Sequence, residues 1–127
     1  MSKEIISTDK APKALGPYSQ AVKVGNLVFF SGQIPLDPAT GIKIAGGIEA
    51  QTKRVMDSLK SVAEAAGGSM DKIVKTTIYL KDLNDFKFVN LVYEKYFTVN
   101  YPARVTVGIS DLPKGVDLEI DAIMSLE

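Results

Sequence analysis

The sequence has 127 residues, 46% apolar and 24% charged, with fifteen basic against fifteen acidic side chains and no His, Cys or Trp. A chain of this length suits one domain, residues 1–127, that buries roughly two-thirds of its unfolded surface without disulfides or metal staples. Zero net charge leaves no field for collecting nucleic-acid phosphates or an anionic membrane, and the missing imidazoles and thiols disfavour metal centres and exclude Cys nucleophiles, Ser-His-Asp triads and a His base.

The opening Met1-Ser2-Lys3-Glu4-Ile5-Ile6 sets an acid beside a base without a long apolar run. Neither a signal peptide nor a membrane span is expected, and a cytoplasmic setting follows by default. Ala21-Val22-Lys23-Val24 and Leu27-Val28-Phe29-Phe30-Ser31 are β-rich runs separated by Gly25-Asn26, a pair suited to the positive φ angles of a tight hairpin. Pro35 to Gly41, with two prolines and a glycine, reads as a surface loop. From Ile48 to Ala66 apolar residues recur at three- and four-residue steps opposite Lys53, Arg54, Asp57, Lys60 and Glu64, predicting an amphipathic helix that stops at Gly67-Gly68. Lys53-Arg54 reads as a solvated helix face.

Ile73 to Leu80 is β-branched and predicts a strand; Asn84 is then placed to cap a second helix reaching about Phe97, with Leu83 stapled on Phe88. That helix is apolar on nearly every side, which predicts deep burial or a subunit contact. In Arg104–Ile109 the odd positions are apolar, and from Val116 to Leu126 the even ones. If these two strands pair through the Asp111–Gly115 loop, Arg104, Thr106, Asp117, Glu119 and Asp121 share one polar face. Hairpin, helix, strand, helix, hairpin indicates an α+β sandwich with helices on one side of a mainly antiparallel sheet.

Residue types leave two readings open for the polar face. Arg104 and Glu119 could form a cross-strand ion pair worth roughly 0.2–1 kcal/mol. Alternatively, the guanidinium clamps a ligand carboxylate while Glu119 orients a water, chemistry suited to small keto or imino acids. Tyr18 in Gly16-Pro17-Tyr18-Ser19 closes a core edge or lines a cleft; Ser31-Gly32-Gln33 marks a bulge or a ligand's approach to the backbone; Asn90, set among apolar neighbours, needs hydrogen-bond partners from protein or ligand.

Six segments in order are Gly16-Pro17-Tyr18-Ser19-Gln20, Ser31-Gly32-Gln33-Ile34-Pro35, Val74-Lys75-Thr76-Thr77 with Leu80-Lys81-Asp82, Asn90 with Tyr93, Tyr101-Pro102-Ala103-Arg104, and Leu112-Pro113 with Glu119-Ile120. Together they resemble the RidA (YjgF/YER/UK) family along nearly the whole chain. The resemblance implies a chorismate-mutase-like α+β homotrimer with ligand sites between subunits and no cofactor or metal. It also implies hydrolytic deamination of enamine/imine intermediates such as 2-aminoacrylate, 2-iminopropanoate and 2-iminobutanoate to 2-oxo acids and ammonia. By that resemblance Arg104 binds the substrate carboxylate and Glu119 positions or activates water. Tyr18, Ser31, Gly32, Asn90 and Thr106 would line the cleft; Thr106 stands where many deaminating relatives carry cysteine. The alternatives are an endoribonuclease that inhibits translation, a non-catalytic binder of small carboxylates and a holdase-like chaperone. The absence of a basic cluster counts against the first.

Overall fold

The alternating runs assemble into a single six-stranded sheet, and the apolar stripes of two helices cover one side of it. The computed structural model describes residues 2–98 and 100–127. In chain order the elements are β1 (Glu4–Ile6), β2 (Ala21–Val24), β3 (Leu27–Gln33), α1 (Ile48–Ala65), β4 (Ile73–Leu80), α2 (Phe86–Tyr93), β5 (Ala103–Gly108) and β6 (Leu118–Ser125). Across the sheet the order is β1-β2-β3-β6-β4-β5, antiparallel throughout except for the parallel pair β4–β5. The expected α+β architecture is therefore the one observed.

Helix α1 forms where its periodicity places it, burying Ala63 together with Val55, Met56, Leu59 and Val62 against the sheet, the last four each worth roughly 1.5–3 kcal/mol. Gly67 ends it in the left-handed region (φ 90°), where the Gly67 amide donates to Glu64 O and the Gly68 amide to Ala63 O, a paired closure of the last carbonyls. In the β2–β3 hairpin only Gly25 takes positive φ (60°), so the turn needs one glycine at its first central position and asks nothing special of Asn26.

Three expectations are corrected. The cap of the second helical segment is Asp82, whose carboxylate accepts from the Asn84 amide, and a short 3-10 turn over Leu83–Asp85 precedes α2. Leu83 packs over Gly108. Helix α2 ends at Tyr93 and tightens into another 3-10 turn to Tyr96; it buries only Val89 and Tyr93, while Leu91 stays 52% exposed. Of the two readings for this helix, deep burial within the chain is excluded.

The third correction decides where the chemistry lies. The C-terminal strands do not pair with each other, because β4 is inserted between β6 and β5. Its register aligns Thr76, Ile78 and Leu80 with Ala122, Ile120 and Leu118 on one side and with Arg104, Thr106 and Gly108 on the other. Neighbouring strands in register share a face, so Arg104 and Thr106 belong to the helix-covered side. Glu119 and Asp121, aligned with Tyr79 and Thr77, belong to the opposite, open side. Val105 and Val107 consequently face outward on that open side, with Ile5, Leu27 and Phe29 also exposed.

Outside the sheet, one buried side chain organises residues 8–12. The Gln20 amide accepts from the Thr8 amide (2.7 Å) and donates to Pro12 O (2.8 Å) and Thr8 O (3.0 Å). The chain thereby gains near-strand satisfaction without a strand.

Candidate functional site

Arg104 leaves the β5 edge beneath α2. Phe86, Asn90 and Tyr93 fall at three- and four-residue steps on that helix, so they form one stripe, and all three meet the guanidinium. Asn90 Oδ1 accepts from Nη1 at 2.8 Å, and the guanidinium carbon lies 5.1 Å from the ring centroids of both Phe86 and Tyr93. The Tyr93 ring is itself fixed: its hydroxyl shares a 2.8 Å hydrogen bond with Thr76, and burial raises its phenol pKa against the opposing pull of Thr76 and Arg104. Two rings and an amide hold the cation flat, and no carboxylate pairs with it among the described residues. Above it opens a cleft of about 520 Å³ walled by Asn90, Tyr93, Glu94, Tyr101 and Pro102. An anchored, unpaired guanidinium facing a cleft is suited to bind a carboxylate through parallel N–H donors.

Glu119 sits in a different cleft, of about 440 Å³, with Tyr18, Ser31, Gly32, Lys13 and Lys114 in its walls. The β3–β6 register shifts between Phe30 and Gln33, so Ser31 and Gly32 form a bulge there; such bulges re-aim side chains and free backbone groups. The Ser31 hydroxyl donates to Ser19 O, tying the bulge to the Gly16–Ser19 turn. Glu119 lies directly over Gly32, where a side-chain carbon would stand 2.7 Å from the Glu119 Cδ. Glycine here is the space the carboxylate occupies. Burial first, and the neighbouring charge of Asp121 second, raise the Glu119 carboxyl above its ordinary 4.5, which moves it toward the range of a proton carrier at neutral pH.

The residues singled out in the sequence thus fall into two groups. Arg104 and Asn90 stand together on the helix-covered face; Tyr18, Ser31, Gly32 and Glu119 stand together at the open one, and β4 separates the two strands concerned. The cross-strand Arg104–Glu119 ion pair does not form. Thr106 is two residues beyond Arg104 on the same face, outside the cleft wall, with its hydroxyl buried and unpartnered among the described residues. Tyr18, 54% exposed, closes no core edge. Phe86 counts in the sequence only among the apolar residues of the second helix, although the 86–90–93 spacing carried the signal of a site role. No group of three acidic side chains is arranged to hold a metal ion, and no helix is long and apolar enough to cross a membrane, among the described residues.

Comparison with known proteins gives a consistent picture. The family profile described as Endoribonuclease L-PSP matches residues 8–125. A RutC family protein of Pyrococcus abyssi is 56% identical over 97% of both chains. Reactive Intermediate Deaminase A, chloroplastic, of Arabidopsis thaliana is 47% identical over 99% of this chain and 67% of its own. Among solved structures, E. coli TdcF with bound serine superposes with a TM-score of 0.92 at 42% identity, covering 96% of this chain and 98% of TdcF.

Proposed function

The chain belongs to the Endoribonuclease L-PSP family, the RidA/YjgF group, and from that premise we propose that it hydrolyses reactive enamine and imine intermediates, 2-aminoacrylate/2-iminopropanoate and 2-iminobutanoate, to 2-oxo acids and ammonia. The observation that supports this reading is the division of the polar groups: an unpaired guanidinium at Arg104 and a half-buried carboxyl at Glu119, each in an open cleft, on opposite faces of one sheet. Each half lacks what the other supplies. A homotrimer, in which the Arg104 cleft of one subunit meets the Glu119 cleft of the next, joins them. Exposed apolar residues border both halves, Leu91 and Tyr101 near the first and Leu15 and Tyr18 near the second, as surfaces awaiting a second copy do.

In the joined site Arg104 fixes the substrate carboxylate, and water adds to the imine carbon as Glu119 takes its proton. Glu119 passes that proton to nitrogen to give a carbinolamine. It then carries the carbinolamine hydroxyl proton to the same nitrogen as the carbonyl forms and the C–N bond breaks, so that ammonia leaves the 2-oxo acid. Imines hydrolyse unaided in water, so the protein supplies positioning and general-base help of about 10²–10⁴ in rate, roughly 3–5 kcal/mol. No metal or cofactor enters this scheme. The family's description also names ribonuclease activity, but zero net charge and a carboxylate-sized clamp favour small anions over RNA. Binding without turnover is the other reading, supported by the serine in TdcF.

The test is subunit complementation. Imine generated from threonine by a dehydratase is followed to 2-oxobutanoate with Arg104→Ala, with Glu119→Gln, and with the two co-assembled. Each variant alone is expected to be inactive. Random co-assembly restores about a quarter of the parental sites, because a wild-type pair forms wherever intact Arg104 meets intact Glu119. Wild-type rates in either single variant would refute the assignment; inactivity of the mixture would refute the shared site.

A further inference from the structure

The open face holds a second carboxylate that the scheme above does not use. Asp121 and Glu119 alternate on β6 and so project to the same side, and β4 sets Tyr79 opposite Glu119 and Thr77 opposite Asp121. Across that diagonal the Tyr79 hydroxyl donates to Asp121 Oδ2 at 3.0 Å. The bond fixes Asp121 while leaving its charge in place. Lys75 lines the same shallow depression without forming an ion pair with Asp121. Facing Glu119 are Asp121 on β6, Tyr79 on β4, Lys13 and Tyr18 on the arm before β2, and Lys114 on the turn before β6. The nearest anion to the proposed base is thus its own strand neighbour, tethered by a phenol.

We propose that Asp121, anchored by Tyr79, is a positioning residue that acts through Glu119: its fixed negative charge sets how readily Glu119 gives and takes the proton of the attacking water. The proposal rests on the deaminase reading for its function, but not for its electrostatics. A fixed negative charge on the same face of the strand makes ionisation of its carboxyl neighbour harder and so raises the pH at which that neighbour titrates. Burial alone would leave Glu119 a weaker base than the pair makes it. The Tyr79 tether matters because an untethered aspartate on an open face would turn to solvent, where its charge is screened. The phenol of Tyr79 answers in kind: burial foremost, then its bond to Asp121 and the charges of Asp121 and Glu119, raise its own pKa, so it remains a donor throughout the working range.

Two readouts on the assembled protein test this. Carboxyl-carbon NMR follows the titration of Glu119 directly, and the pH profile of kcat/KM for 2-iminobutanoate follows its use. In Asp121→Asn both the titration midpoint and the acid limb are expected to move to lower pH, and Asp121→Glu restores them. Tyr79→Phe moves both the same way by less. Unmoved midpoints in Asp121→Asn would overturn the proposal; if that variant fails to assemble, an unmoved midpoint in Tyr79→Phe does so. Glu119→Gln separates the two levels of argument. Should it retain both rate and acid limb, the deaminase site is wrong, while the NMR titration still decides whether Asp121 governs Glu119.

Discussion

Gly32→Ala is a direct test of the Glu119 placement. A methyl group on residue 32 would stand 2.7 Å from the Glu119 Cδ and 2.9 Å from its Cγ, where carbon atoms rest comfortably at about 3.5–4 Å. The carboxyl group must retreat by about 1 Å. A misplacement of that size costs on the order of 100-fold in rate, or about 2.7 kcal/mol of barrier. The fold should tolerate the change, because the obstructing atoms are the end of one flexible side chain and Gly32 does not occupy the left-handed region. The backbone gains about 0.4–1 kcal/mol from a stiffer unfolded chain. The expected result is a kcat/KM for 2-iminobutanoate near one-hundredth of the parent, with a melting temperature within about 5 °C of it. An undiminished kcat/KM would refute the claim that the carboxylate over Gly32 is the working base. A large loss of melting temperature would refute the claim that the glycine serves the carboxylate and not the bulge.

Arg104→Lys should raise KM by roughly tenfold or more with unchanged circular dichroism, since a lysine ammonium cannot keep the Asn90 bond and present parallel donors to a carboxylate; an unchanged KM would exclude Arg104 as the clamp. Glu119→Gln should melt slightly higher than the parent at neutral pH. A carboxyl raised above 4.5 in the folded state destabilises that state when ionised, so the advantage is largest above the folded pKa and vanishes below pH 4.5; melts from pH 4 to 8 check the sign. Thr76→Val strands the buried Tyr93 hydroxyl and should cost about 1–3 kcal/mol in urea unfolding, a loss absent if the hydroxyl finds another partner.

Periodicity alone located most of the elements. Val55, Leu59 and Val62 announced α1, and Ile73–Leu80 emerged with the predicted bounds. The strand Glu4–Ile6 escaped notice because three residues hold no measurable pattern. The C-terminal pairing failed for a deeper reason: alternation separates two faces of a strand without saying which one meets the core. Val105 and Val107 looked like core residues of a hairpin, yet the parallel register with β4 turns Arg104 and Thr106 inward and the valines outward. The site's residue types were therefore legible while their grouping was not. Arg104 and Glu119 could be chosen from the sequence, but their opposite faces follow from the insertion of β4, a long-range pairing that no local spacing encodes.

The arm tied down by Gln20 has a consequence for how this scaffold diversifies. Pro12, Lys13, Leu15 and Tyr18 supply one wall of the Glu119 cleft, and the segment carrying them is secured by the Gln20 amide at one end and the Ser31–Ser19 hydrogen bond at the other instead of a ladder of backbone bonds. Between those two anchors, from Lys13 to Gly16, the wall takes no part in the strand ladder. Insertions or exchanges between Lys13 and Gly16 would reshape the cavity mouth while leaving strand register untouched, so substrate breadth and catalytic geometry occupy separate parts of the chain and can drift independently across generations.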